Sequence, residues 1–158
     1  ALPDQALGQY IGEWSDQDGL PEVKFGGPRG GKAVLFGQQH FAHLPVLLLV
    51  EGEWDAMLAW QWCQDFCDVS TLGGAQSHFD ALDLAVLIQY QAVLVVHDAD
   101  AAGEKGRQYI ASLCAQGSRV TPIPPPELNG QAAHDLTDFW KAGGNLRAWV
   151  AGHVADAM

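Results

Sequence analysis

Two uninterrupted apolar runs constrain this chain more than anything else in it: LPVLLLV over 44–50 and AVLVVHD over 92–98. A run without polar alternation marks a strand buried on both faces. Each run ends abruptly in acids. EGEWDA, 51–56, follows the first, and DADAAGEKG, 98–106, completes the second. Between them the apolar spacing turns helical. Trp54, Leu58 and Trp62 fall four apart, and Ala56, Ala59, Cys63 and Cys67 make a second stripe. Strand DVSTL, 68–72, helix 79–90, helix 104–117 closed by Gly117 and strand RVTPI, 119–123, continue the alternation. AVLF, 33–36, reads as a further short strand, and two last helices are expected over 135–142 and 145–156, separated by Gly143-Gly144. Alternating strands and helices imply right-handed crossovers and an α/β fold. The expected sheet is mostly parallel, of about four strands, with helices on both faces. The functional crevice of such a sheet lies beyond the carboxyl ends of its strands. Glu51 and Asp98, the first acids after the two buried strands, both belong there.

The 158 residues suit one domain with a sizeable core, and 48% apolar with 17% charged residues reads as globular. No apolar run is long enough to span a bilayer, and no signal peptide opens the chain, so a cytoplasmic setting is expected. The start ALPDQALGQY, without Met, suggests a piece of a longer protein. Three cysteines, Cys63, Cys67 and Cys114, argue against a disulfide framework and for a reducing compartment. Cys63 and Cys67 share a helical face, but no second Cys/His pair has matching spacing, so buried thiols are expected rather than zinc. His40, His43, His78 and His153 likewise lack ligand spacing, and His97 is expected to serve packing or hydrogen bonding. The six tryptophans fall mostly at helical spacing and are expected in the core, with Trp14 the one to test for base stacking.

The acids raise the chemical question. Asp98 and Asp100 are two apart and point the same way in an extended segment. With Glu51 they deliver three carboxylates to one sheet edge, where like charges repel. Mg²⁺ takes oxygen ligands, commonly one or two carboxylates plus waters and substrate phosphates, and it removes that repulsion. An acid after a buried strand is ordinary loop polarity. EGExDA after one strand and DxDxxG after another are harder to obtain from composition alone.

These motifs resemble the TOPRIM domain shared by DnaG-type primases, type IA and type II topoisomerases, OLD-family nucleases and RecR-type repair proteins. Glu51 matches its Glu after the first strand, Asp98 and Asp100 its DxD, and Gly73-Gly74 its small-residue turn. VEGEWDAML is similar to the EGxxDxL form of primases and primase-helicases, and HDADAAGEKG to their DxDxAG segment. GGPRGGKAVLFG resembles the basic loop and LFG turn that precede the domain, and HDLTDFWKAGG the (K/H)DxxD segment of phage and plasmid primases. The resemblance covers about residues 30–142, in matching motif order. It implies a TOPRIM domain over 44–144, an N-terminal basic, Gly-rich extension over 1–43 and a C-terminal helix over 145–158. No CxxC…CxxC module and no GxxxxGK[ST] loop occurs here, as in an excised catalytic core or a small mobile-element version.

The resemblance further implies metal-dependent nucleotidyl transfer: RNA primer synthesis in DNA replication with Mg²⁺ or Mn²⁺, two ions about 4 Å apart clamping the attacking and leaving oxygens. Asp98 and Asp100 are then metal ligands, Glu51 a third ligand or a proton handler, and Asp135 a further acid at the metal. Glu53, Asp55 and Asp138 stand behind them, although Asp55 also reads as a first-turn acid favoured by the helix dipole. Lys24, Arg29 and Lys32 form a basic loop for template or triphosphate phosphates, and Lys105 and Arg107 reach phosphates at the strand–helix turn or balance local acids. The implied partners are a single-stranded DNA template, NTPs and other primase or helicase domains of a parent protein, with no membrane. An OLD-type nuclease and a RecR-type non-catalytic scaffold are the alternatives.

Overall fold

The computed structural model describes residues 34–74, 77–113 and 119–158. Trp14, Lys24, Arg29, Lys32 and Cys114 lie outside the described residues. The compact unit described runs from Ala33 to Met158. Its elements in chain order are β1 (Val46–Val50), α1 (Glu53–Cys63), β2 (Asp68–Ser70), α2 (Ala81–Leu87), β3 (Ala92–Val96), α3 (Ala101–Leu113), β4 (Arg119–Pro122), β5 (Glu127–Leu128), β6 (Gln131–Ala132), α4 (Leu136–Lys141) and α5 (Leu146–Ala157).

The expected α/β architecture is present. Four parallel strands stand in the order β2-β1-β3-β4. Val46, Leu48 and Val50 of β1 with Leu94 and Val96 of β3 pack under α1, α4 and α5. Leu47, Leu49, Val93 and Val95 face the other way, towards Leu87 of α2 and Ile110 of α3. Both central strands are buried along their whole length, which is why they show no polar alternation. The chain steps from β1 out to β2, then crosses back over β1 to β3. The reversal opens a crevice beyond the carboxyl ends of β1 and β3.

Several local expectations change. AVLF is not a strand over its described residues 34–36. Leu35 is buried, the Phe36 N–H donates to the Thr71 carbonyl (2.8 Å) and the Ser70 hydroxyl donates to the Phe36 carbonyl (2.9 Å). One bond of that exchange uses a side chain, so the segment covers the sheet edge without extending it. The Pro-rich loop after β4 contains the β5–β6 hairpin, which closes through Asn129 (φ 54°) and Gly130 (φ 78°). That pair is a two-residue turn with both residues left-handed. The second stripe of α1, Ala56, Ala59 and Cys63, is core together with Cys67, and both cysteines are buried free thiols. Four tryptophans depart from expectation, while Trp149 packs against the core. Trp54, Trp60 and Trp62 of α1 and Trp140 of α4 are exposed, Trp54 by 66%; on α1 the small residues Ala56, Ala59 and Cys63 take the inner face.

Candidate metal centre

β1 and β3 pair in register from Val46↔Ala92 to Val50↔Val96, so the acids that follow leave the sheet side by side. The Asp98 N–H donates to Glu51 Oε2 at 3.1 Å. β2 joins them through Thr71, which is fully buried. Its hydroxyl donates to the Glu51 carbonyl (2.6 Å) and accepts from the Gly73 N–H (2.9 Å). Three strand ends are thus tied into one frame around Glu51. Glu53 opens α1 and lies over the Gly73 turn. Gly73 has φ 80°, and a Cβ there would stand 2.8 Å from Glu53 Oε1.

The electrostatics at this frame are costly. Burial, then the charge of Glu51, pushes the Asp98 carboxyl up to about 7; His134 opposes this, while Asp55 and Asp135 add to it. Asp55 is buried, and desolvation raises it too, against the Thr137 hydroxyl that stabilises its charge. Asp135 and Glu51 act on Asp55 in the same upward direction. Four carboxylates therefore feel one another across the crevice: Glu51, Asp55, Asp98 and Asp135.

Asp135 arrives from the far end of the chain. It caps α4, its Oδ1 accepting the Asp138 N–H at 2.6 Å. The Ala99 N–H donates to the His134 carbonyl (2.8 Å), fixing the loop after β3 to the start of α4. His134 Nδ1 then lies 3.6 Å from Asp98 Oδ2 and 3.9 Å from Asp135 Oδ2. His134, Asp135 and Asp138 each offer a ligand atom within 4.8 Å of the others. Below them, Asp55 Oδ1 accepts both the Thr137 N–H (2.9 Å) and the Thr137 hydroxyl (2.7 Å).

Asp100 is placed differently from Asp98. It is exposed, and its Oδ1 accepts the Gly103 N–H at 2.7 Å, a bond that holds its carboxyl below the usual range. Gly103 has a steric reason as well, since a Cβ there would stand 2.3 Å from the Asp98 carbonyl oxygen. The two cations of this helix separate. Lys105 is exposed. Arg107 turns inward, buried, donating to the His97 carbonyl (3.1 Å) and pairing with Glu104. In this arrangement Arg107 braces the end of β3 rather than presenting a free cation. His97 is buried beside it, and burial followed by the Arg107 charge pulls its imidazole down to about 4. The packing role expected for His97 agrees with that placement.

Thr71 and Thr137 had no signature in the sequence, because a single hydroxyl carries no spacing. The donor set is mostly carboxylate oxygen, and burial together with the neighbouring acids raises the Asp98 carboxyl. That chemistry fits a hard divalent cation such as Mg²⁺, which favours carboxylates at a partly hydrated site.

Comparison with protein-family models and with curated proteins finds no match. Among solved structures, the chain is similar to the primase fragment of the bacteriophage T7 primase-helicase protein. The TM-score is 0.57 and the identity 24%, over 76% of this chain and 48% of that one. It is also similar to a structure of bacteriophage T7 lagging-strand DNA polymerase interacting with primase domains of two gp4 subunits bound to an RNA/DNA hybrid and dTTP. There the TM-score is 0.50 and the identity 20%, over 74% of this chain and 57% of that one. The chain spans about half the length of these neighbours, and its fold is primase-like.

Proposed function

We propose that this chain is the TOPRIM catalytic core of a DNA primase, a metal-dependent nucleotidyltransferase that makes RNA primers on single-stranded DNA. The observation that carries the reading is the meeting of Glu51 and Asp98 at the reversal point of a primase-like sheet, with Asp135 brought beside them. Glu51, Asp98, Asp100 and Asp135 would hold the Mg²⁺, two ions on the TOPRIM reading. When bound, the cations would neutralise the phosphoryl oxygens and lower the barrier to in-line displacement of pyrophosphate from a nucleoside triphosphate by a nucleotide 3′-hydroxyl. Glu51, which accepts the Asp98 N–H, would either ligate or take the hydroxyl proton. Glu53 and Asp138 flank the ligands. Lys105, exposed on the first turns of α3, meets template or triphosphate phosphates. Lys24, Arg29 and Lys32, outside the described residues, are the sequence's candidates for further phosphate contacts, and other primase and helicase domains of a parent protein supply template reading and unwinding.

One gel separates this from cleavage. The protein is incubated with end-labelled single-stranded DNA, labelled NTPs and Mn²⁺, alongside Asp98→Asn. Short labelled RNA products that vanish in the variant are expected. Shortened DNA would instead assign the site to a nuclease. Intact DNA without RNA, both from this chain alone and after the parent protein's other domains are added, would leave a scaffold.

A further inference from the structure

Thr137 lies in no acidic motif, yet it joins two elements that are 82 residues apart in sequence. Both of its donors, backbone N–H and hydroxyl, end on the same oxygen of Asp55. Asp55 is buried on the inner face of α1, next to Ala56 in the core. Thr137 is in the first turn of α4, two residues after Asp135 and three after His134. α4 has six residues, too few to hold its own position by helix stability alone. Something must fix its start against the sheet. Leu136 and Phe139 anchor its apolar side. Apolar contacts choose the inward face but, being non-directional, fix the angle about the helix axis only loosely. A doubly donated, charge-assisted contact does set one.

We infer that Thr137 is a positioning residue: by clamping α4 to Asp55 it holds Asp135 and His134 against Asp98, and so completes the carboxylate centre. Asp55 on this account acts through Thr137 and is not itself a ligand. The inference rests on the metal-binding reading for its consequence, but the clamp is measurable without metal. The rotation it prevents is a specific one. Released from Asp55, α4 can turn on Leu136 and Phe139, carrying the Asp135 carboxylate and the His134 imidazole away from Asp98. The Ala99 N–H to His134 carbonyl bond would loosen with them.

The test uses two variants of the whole chain. Thr137→Val keeps the side-chain volume and the backbone N–H but removes the hydroxyl. Thr137→Ser restores the hydroxyl. In metal-free protein, amide hydrogen exchange of residues 134–141 and of Ala99 is expected to accelerate about tenfold in Thr137→Val and to return to wild type in Thr137→Ser. Calorimetric Mn²⁺ affinity is expected to fall about tenfold in Thr137→Val and to recover in Thr137→Ser, as when a partner that orients a metal ligand is lost. Unchanged exchange in Thr137→Val overturns the clamp whether or not metal binds. Accelerated exchange with unchanged Mn²⁺ affinity overturns its role in completing the centre. Wild-type protein that binds no Mn²⁺ removes the metal reading, while the exchange result still decides the clamp.

Discussion

Asp98 bears most of the charge conflict at the strand ends, and two substitutions isolate it. Its folded-state value of about 7 lies far above the ordinary 3.8. Between those values the folded chain holds a proton that the unfolded chain has lost. Stability from this group is therefore fully present at low pH and falls as pH rises through 7. Asp98→Asn removes the titration while keeping the shape. Without metal, the variant is expected to melt above wild type at pH 8, and the gap is expected to narrow at pH 5 and to close only below the ordinary value of 3.8. A gap independent of pH would mean that Asp98 is not the strained group. Gly103→Ala tests the steric partner of the same residue. A methyl 2.3 Å from the Asp98 carbonyl forces the backbone apart at the start of α3. A loss of about 1–3 kcal/mol in urea unfolding is expected, and no loss would mean that the turn after β3 is slack.

At the scale of elements, the edge strand β2 depends on one buried acid. Asp68 accepts from Ala42 N–H (2.7 Å), Leu44 N–H (3.1 Å) and the Tyr90 hydroxyl (2.9 Å). It thereby ties the covering segment and the loop after α2 to the sheet. Asp68→Ala leaves three donors without their acceptor and should lower unfolding stability by about 2–4 kcal/mol. A change below about 0.5 kcal/mol would show that water replaces the carboxylate freely. The same residue illustrates what a sequence conveys. β1 and β3 were legible because burial on both faces erases alternation, and the acids beyond them were legible by position. Asp68 read only as the first residue of strand DVSTL, since its value comes from partners at 42, 44 and 90. The β5–β6 hairpin was in principle readable from Asn129-Gly130, but strands of two residues give no periodicity to support the turn. The α1 tryptophans misled for a related reason: their four-residue spacing marks a helical face without saying which face is inside. Arg107 reads as a surface cation until the fold shows it bound to His97 and Glu104.

For the whole molecule, the parallel sheet follows from the alternation of apolar runs, whereas its strand order and the centre are set only by the folded chain. Glu51 and Asp98 come from neighbouring strands, but Asp135 and Thr137 reach them only when α4 packs beneath α1. With a net charge of −11, the chain gathers carboxylates where solvation is poor, an arrangement that a bound cation relieves. The most direct test is calorimetric titration with Mn²⁺ and Mg²⁺ of wild type and of Glu51→Gln/Asp98→Asn. Saturable binding in wild type, weaker at pH 6 than at pH 8 and lost in the double variant, is the predicted result. Equal weak binding in both proteins would contradict a metal centre at these strand ends.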